Sequence, residues 1–569
     1  MDVDRAGLVH DYGSFPTQPL PIQRAHRSIA AADPKSAGGP GRSESGELAR
    51  AGRALAVAGV VSRVTGFART LVLAAVLGTA AVGDAYNGVN TLPNMIYELL
   101  LGGVLAGAVV PVLARARRHG RKHSREFTQR VMVGAVLTLT VITVLTVVCA
   151  PLIVRLFIAD TGQRRLATGL AYLLLPQIFF YGVAVVVGAV LNVRDSFASA
   201  AWAPVVNNAI VLATCGVFTL LPGPVTLTPG TMTTAQVLTL GIGTTAGIVG
   251  QSAWVVAALR HSGFRWSWRA RPLPYTLRPV RVGMPILGWL LVYAAISQVS
   301  VAVTMRVAFD HDGVSINNYA ELLFQVPYGI LAASVLTVLM PRISRAAAGH
   351  DHRAVLADLS RGARYLFTAL IPISMAMSLL GPTFATLVFT GRVDPQAARL
   401  IGIAIACSAF GLAPFALVML QMRVFYAYHD TRTPTLINLV MVLTKVAIVA
   451  LTATLCTGPT VVVMLGVASS FAYVTGAATG HLLLRRRHGP LGFRIVAASA
   501  HRVVWATVAA GATTLATVFL TTTTISAPTL AQITTLTAGF VSGTVVFLLT
   551  AKAVGIPELR VARTLLTFS

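Results

Sequence analysis

From residue 52 onward the chain runs in long apolar stretches separated by short polar turns. Within each stretch the apolar residues are nearly continuous. They lack the every-second-residue alternation of a membrane β-barrel. A membrane-crossing α-helix needs ~20 mainly apolar residues. The pattern predicts about fourteen such helices, at approximately 53–78, 84–113, 129–153, 167–192, 201–221, 235–259, 282–308, 317–341, 363–389, 397–422, 433–456, 461–484, 502–522 and 531–554. An all-α polytopic membrane fold follows. Residues 1–51 read differently: they are rich in Pro, Gly, Ser, Arg and Asp and lack a long apolar run. With no signal-peptide pattern, they are expected to form a disordered cytoplasmic extension.

Composition agrees with a membrane solvent. Of 569 residues, 55% are hydrophobic and 11% charged, against ~25% charged in a soluble domain. The net charge of +26 would point to nucleic acid in a soluble protein, but its placement argues against that partner. The basic residues cluster in alternate loops, including 115–125, 260–281, 342–364, 423–432 and 485–502. The intervening loops, such as 154–166, 222–234, 309–316 and 390–396, hold few, among them Arg155, Arg164, Arg165 and Arg392. The positive-inside rule puts the basic set in the cytoplasm. Both termini are then expected inside a multi-pass protein of the cytoplasmic membrane. The four cysteines, Cys149, Cys215, Cys407 and Cys456, have neither metal-ligand nor disulfide spacing and read as small packing residues.

A faint repeat runs six helices apart. The second helix has Pro93 near its start and PVLARA at 111–116; the eighth has Pro327 and PRISRA at 341–346. LNVRDSFASAAWAPVVNN (191–208) and FYAYHDTRTPTLIN (425–438) each pair a basic-acidic turn with a following Pro and Asn. The expected organisation is a six-helix lobe over 52–260, a second over 261–490 and two extra helices over 491–569. Repeated bundles place their substrate site between them, near the bilayer midplane.

The first helix carries the sharpest signal, because Arg63 and Arg69 interrupt an otherwise apolar span. An arginine at membrane depth costs at least ~2.5–3.5 kcal/mol on insertion scales, so it faces protein or a water-filled cavity. A guanidinium stays charged and offers paired donors to phosphate. The competing possibility is a structural ion pair, with Asp84 as the partner of Arg69. Ala58, Ser62, Gly66 and Thr70 form a small-residue row suited to helix packing, which frees the arginine side. Glu98 follows Pro93 by about a turn, and Glu321 and Gln325 occupy the matching region of the second lobe. Each is either an interhelix hydrogen-bonding residue or a cavity group. Arg306 reads as interfacial. Lys445, alone in an apolar helix, is either a functional charge or a partner for one of the acids. Gln177, Asn192, Asn207 and Asn208 read as packing hydrogen bonds. There is no GxxxxGK[ST] loop, HExxH or Gly-x-Ser-x-Gly elbow, and the histidines lack ligand spacing. The chain is therefore expected not to be an enzyme and to need no metal or cofactor.

Several segments in register carry a resemblance: SRVTGFAR (62–69), GDAYNGVNTLPN (83–94), VVPVLARA (109–116), LNVRDSFASAAWAP (191–204), NYAELLFQVPYGIL (318–331), LTVLMPRISR (336–345) and RVFYAYHDTRTPT (423–435). Together they make the chain, over about 52–490, similar to the MurJ/MviN family. The resemblance implies a fourteen-helix fold of the MOP flippase superfamily, with two lobes around a cationic cavity. It also implies translocation of lipid II, an undecaprenyl-diphosphate-linked peptidoglycan precursor. Arg63, Arg69 and Asp84 match essential cavity positions of that family. Tyr97 and Leu322 stand where many members carry arginine. The implied partners are the lipid-linked diphosphate and membrane lipid, together with cell-wall synthesis proteins at the basic loops. Two other functions fit the pattern: a same-superfamily transporter of another polyprenyl-linked saccharide or of a drug, and a non-transporting scaffold for wall synthesis.

Overall fold

The computed structural model describes residues 41–99, 121–193, 200–224, 226–264 and 284–558. The elements among the described residues are all helical. α1 spans Gly41–Leu77, α2 Ala81–Leu99, α3 Arg121–Val148, α4 Ala150–Phe157, α5 Thr161–Leu174, α6 Gln177–Val193, α7 Ala203–Leu220 and α8 Thr234–His261. α9 follows at Met284–Asp310, α10 at Val314–Pro327, α11 at Ala333–Ala348, α12 at His352–Val388, α13 at Pro395–Ser408 and α14 at Leu412–Ala427. α15 is Arg432–Leu455, α16 Pro459–His488, α17 Phe493–Thr524 and α18 Pro528–Ala553.

Twelve described spans are long and apolar enough to cross a membrane, or thirteen if one bent pair counts as a span. The expected second span, 84–113, is described only as far as Leu99 and so lies partly outside the described residues. Residues 1–40 of the expected disordered extension 1–51, residues 115–120 and most of loop 260–281 also lie outside them, as does the side chain of Asn192. Residues 41–51 are helical rather than disordered.

Several boundaries differ from the sequence pattern: α12 begins at His352 and α17 at Phe493, about ten residues before the expected starts, and three others bear on the fold. α1 begins at Gly41, well before the expected start. The third span breaks at Cys149, where α4 restarts with Pro151 in its first turn, a position where the missing N–H costs nothing. The eighth span bends by 50° between its halves. There Pro327 removes a ladder donor, and a π-helical turn, Tyr328–Ala332, takes up the offset.

The helices pack as two groups. α7 lies against α1 and α8, while α8 lies against α5 and α6. In the second group α15 packs on α9 and α16, and α12 packs on α11, α13 and α14. α17 and α18 pair with each other and rest on α12. Polar contacts line their seam, with the hydroxyls of Thr521 and Thr535 2.6 Å apart.

The repeat has a physical counterpart. In the first group Asn208 of α7 donates to the Ser62 carbonyl (3.2 Å) and the Thr65 hydroxyl (3.0 Å) of α1. In the second, Asn438 of α15 donates to the Tyr293 carbonyl (3.0 Å) and the Ser297 hydroxyl (2.9 Å) of α9. An amide that joins a carbonyl and a nearby hydroxyl on one helix fixes the register of the pair. The Pro-and-Asn pattern seen in sequence therefore marks the same helix-pairing device, used once per group.

Candidate functional site

The two groups meet through α1 and α2 on one side and α9, α10 and the α12–α13 turn on the other. At one end they are sealed by hydrogen bonds between groups. Asp84 is fully buried. Its Oδ1 accepts the Ser315 N–H at 2.7 Å and its Oδ2 accepts the Val314 N–H at 3.2 Å. A carboxylate there meets two of the unpaired N–H groups and the positive end of the α10 dipole. Asn87 adds bonds to the Ser315 hydroxyl (2.9 Å) and the Tyr319 hydroxyl (3.1 Å). Arg392 supplies the converse at the other helix end. Its backbone N–H donates to the Ala75 carbonyl at 2.9 Å, and its Nη1 donates to the Val76 carbonyl at 2.8 Å. The seal is thus two helix ends of opposite polarity, each capped by a charge from the other group.

Two glycines let the backbones approach. Gly78 and Gly391 have φ of 74° and 81°. A Cβ on Gly78 would lie 2.8 Å from the Arg392 carbonyl oxygen, and one on Gly391 would lie 2.7 Å from that of Ala75. Any other residue would clash as well as strain the backbone.

Beyond the seal lies a cavity of about 200 Å³ between the groups. Thr91, Asn94 and Glu98 of α2 line one wall. Gln298 and Thr304 of α9, Asn317, Asn318 and Glu321 of α10, and Lys445 of α15 line the rest. Glu98 accepts from Gln298 Nε2 at 3.1 Å, and Glu321 accepts from Gln325 Nε2 at 3.1 Å. Lys445 is the cationic side chain of the described lining. The cavity therefore brings together Glu98, Glu321 and Lys445.

Arg63 and Arg69 are not on that wall. Arg63 is exposed and its Nη1 donates to the Gly329 carbonyl in the π-helical turn, so it crosses between the groups away from the seal. Arg69 turns into the first group, where its charge acts on Tyr86, Tyr181 and Cys215. Its Nε is buried with no hydrogen-bond partner. Asp84 does not balance it, since both Asp84 oxygens are taken by α10. The competing possibility of an Arg69–Asp84 pair gives way to a helix cap. Tyr97 packs on Tyr181, with ring centroids 4.9 Å apart. Gln177 and Asn208 make packing hydrogen bonds, while the Asn207 oxygen is buried without one. Arg306 pairs with Asp310 and reaches the Phe157 carbonyl at 3.4 Å.

Sequence reasoning missed Asn87, Ser315, Gly391 and Arg392. Asn87 lay inside a noted motif, and Arg392 was one of the rare basic residues in its loop set. No group of three His, Cys, Asp or Glu side chains among the described residues could hold a metal.

A closed end, a polar cavity between two helix groups and arginines at membrane depth match the architecture of a carrier. The sequence profile described as "Lipid II flippase MurJ" matches residues 73–533. The chain belongs to the MurJ family. The MurJ relatives include a probable lipid II flippase MurJ from Rhizobium meliloti, 28% identical over 66% of this chain and 69% of its own length. Another, a lipid II flippase MurJ from Burkholderia cenocepacia, is 26% identical over 68% of this chain and 75% of its own. Among solved structures, a lipid II flippase MurJ in an inward closed conformation superposes with a TM-score of 0.70 at 18% identity, covering 88% of this chain and 98% of that one. An inward-facing MATE transporter of the MOP superfamily gives 0.59 at 16% identity, over 74% of this chain and 95% of that one. These two likenesses establish the fold that MurJ shares with MATE transporters.

Proposed function

We propose that this chain is a flippase that moves lipid II across the cytoplasmic membrane by alternating access. The observation that carries this reading is the polar cavity between two helix groups, closed at one end only by bonds between them, in a chain of the MurJ family. The sealed end is formed by the loops poor in Lys and Arg, so the positive-inside rule turns it outward and leaves both termini in the cytoplasm. The headgroup then enters from the cytoplasmic side. Arg63 and Arg69 meet the diphosphate, because a guanidinium fork matches its paired oxygens, and Arg69 has a buried donor to spare. Glu98 and Glu321 line the path for the rest of the headgroup. Release of the Asp84, Asn87 and Arg392 contacts opens the outer end. Membrane potential acting on charged cavity groups supplies ~2.3 kcal/mol per charge per 100 mV. Cell-wall synthesis proteins would receive the product outside or dock on the basic loops. Depletion of the protein in its host, with lipid II quantified, tests the function. Lipid II should accumulate as wall synthesis fails. Unchanged lipid II with an intact wall would contradict the proposal.

A further inference from the structure

The cavity holds a charge that the arginines do not explain. Lys445 lies partway along α15, thirteen residues from the first residue of that helix, Arg432, or about 20 Å at ~1.5 Å per residue. An ammonium at that depth is costly and persists only with a partner or a purpose. Both carboxylates in the cavity have bonds elsewhere, Glu98 to Gln298 and Glu321 to Gln325. Glu321 and Lys445 line the same cavity, yet no ion pair with Lys445 is formed among the described residues. Lys445 therefore faces the cavity with donors uncommitted.

Its depth differs from that of Arg63. Arg63 bonds Gly329, eight residues past Glu321 along the same chain segment, about 12 Å further from the seal at ~1.5 Å per residue. Two cations thus stand at two depths, with Arg63 farther from the seal and Lys445 nearer to it.

We propose that Lys445 is a second, deeper anion contact, which receives the diphosphate of the lipid-linked substrate after Arg63 releases it. This rests on the lipid II reading above. The flanking carboxylates fit the role. A transport site must attract its ligand enough to admit it and weakly enough to let it go. Lys445 offers a point charge in place of a fork, and Glu98 and Glu321 oppose the anion, which keeps the deeper station weak.

The roles separate by the sign of two substitutions. If Lys445 binds the anion, Lys445→Met should weaken lipid II binding roughly tenfold, the scale of one hydrogen bond between charged groups. Lys445→Arg should stay within about threefold of wild type on the same scale. Glu321→Gln should tighten binding, because it removes a repelling charge. If Lys445 only balances Glu321, Glu321→Gln should weaken binding or leave it unchanged; that result, or unchanged binding in Lys445→Met, overturns the proposal. The measurement is equilibrium binding to the purified full-length protein of lipid II, of undecaprenol and of inorganic diphosphate. Inorganic diphosphate that binds as well as lipid II would assign Lys445 to free diphosphate and overturn the headgroup contact. Wild type that binds lipid II no better than undecaprenol would instead refute the lipid II reading, whatever the Lys445 variants do.

Discussion

Arg69 and Asp84 look like an ion pair in the sequence, and the structure separates them. Asp84 spends both oxygens on the first N–H groups of α10, while Arg69 keeps a buried Nε without a partner. A backbone N–H on a helix some 230 residues later leaves no mark in sequence, so the cap could not be read there. The consequence is testable. Arg69→Ala should insert normally yet fail to complement a depleted strain, and Arg69→Lys should restore only part of the function. Adding Asp84→Ala should not rescue Arg69→Ala, because removing the cap loses a second interaction, worth about 1 kcal/mol for typical caps. Rescue in complementation, with membrane protein quantified alongside, would restore the ion-pair explanation. Arg63 was legible as a membrane-depth charge. Its acceptor, the Gly329 carbonyl, was not, since it belongs to a π-helical turn that has no sequence signature beyond the neighbouring Pro327.

At the scale of elements, apolar run length located the described spans, because burying or lipid-exposing ~20 residues dominates every local preference, but α1, α12 and α17 extend well before the apolar runs that announced them. Breaks inside spans were less legible. The split at Cys149 and the bend after Pro327 depend on how neighbouring helices take up freed backbone groups. The turn between α14 and α15 shows how a loop is pinned. Asp430 accepts from the Thr433 N–H (3.0 Å) and hydroxyl (2.6 Å) and pairs with Arg487 at the end of α16. Burial pushes the Asp430 carboxyl up, but the bonds from Thr433 and Arg487 outweigh it and hold the group below the ordinary carboxylate value. A carboxyl depressed in the folded state adds stability above its unfolded value, ~3.9, and that stability is lost as pH falls through the folded value. Thermal stability should therefore drop as pH is taken below about 4, and Asp430→Asn should lower Tm at neutral pH and shrink that acid loss. An unchanged pH profile in Asp430→Asn would show that the pin contributes nothing.

For the whole molecule, two helix groups built on the same Asn-mediated pairing are joined at one end by capped helix termini and enclose a cavity with three charged side chains. The segments of the internal repeat contain Asn208 and Asn438, the two residues that make this pairing. The cavity's membership was only partly legible, because Glu98, Glu321 and Lys445 come from three helices whose relative rotation is a tertiary property. Alternating access requires one motion, the release of the seal between Asp84, Asn87 and Arg392 and their partners. Asn87 and Ser315 face each other across it at 2.9 Å, which makes them the pair at which to introduce cysteines and lock the seal with an oxidative cross-link. The decisive measurement is the amount of lipid II reaching the outer leaflet in cells carrying Asn87→Cys with Ser315→Cys, in a background with the four native cysteines replaced by serine. Alternating access predicts that oxidation stops lipid II transfer and reduction restores it, while each single cysteine variant is indifferent to oxidation. Undiminished transfer by the fully cross-linked protein would contradict the mechanism.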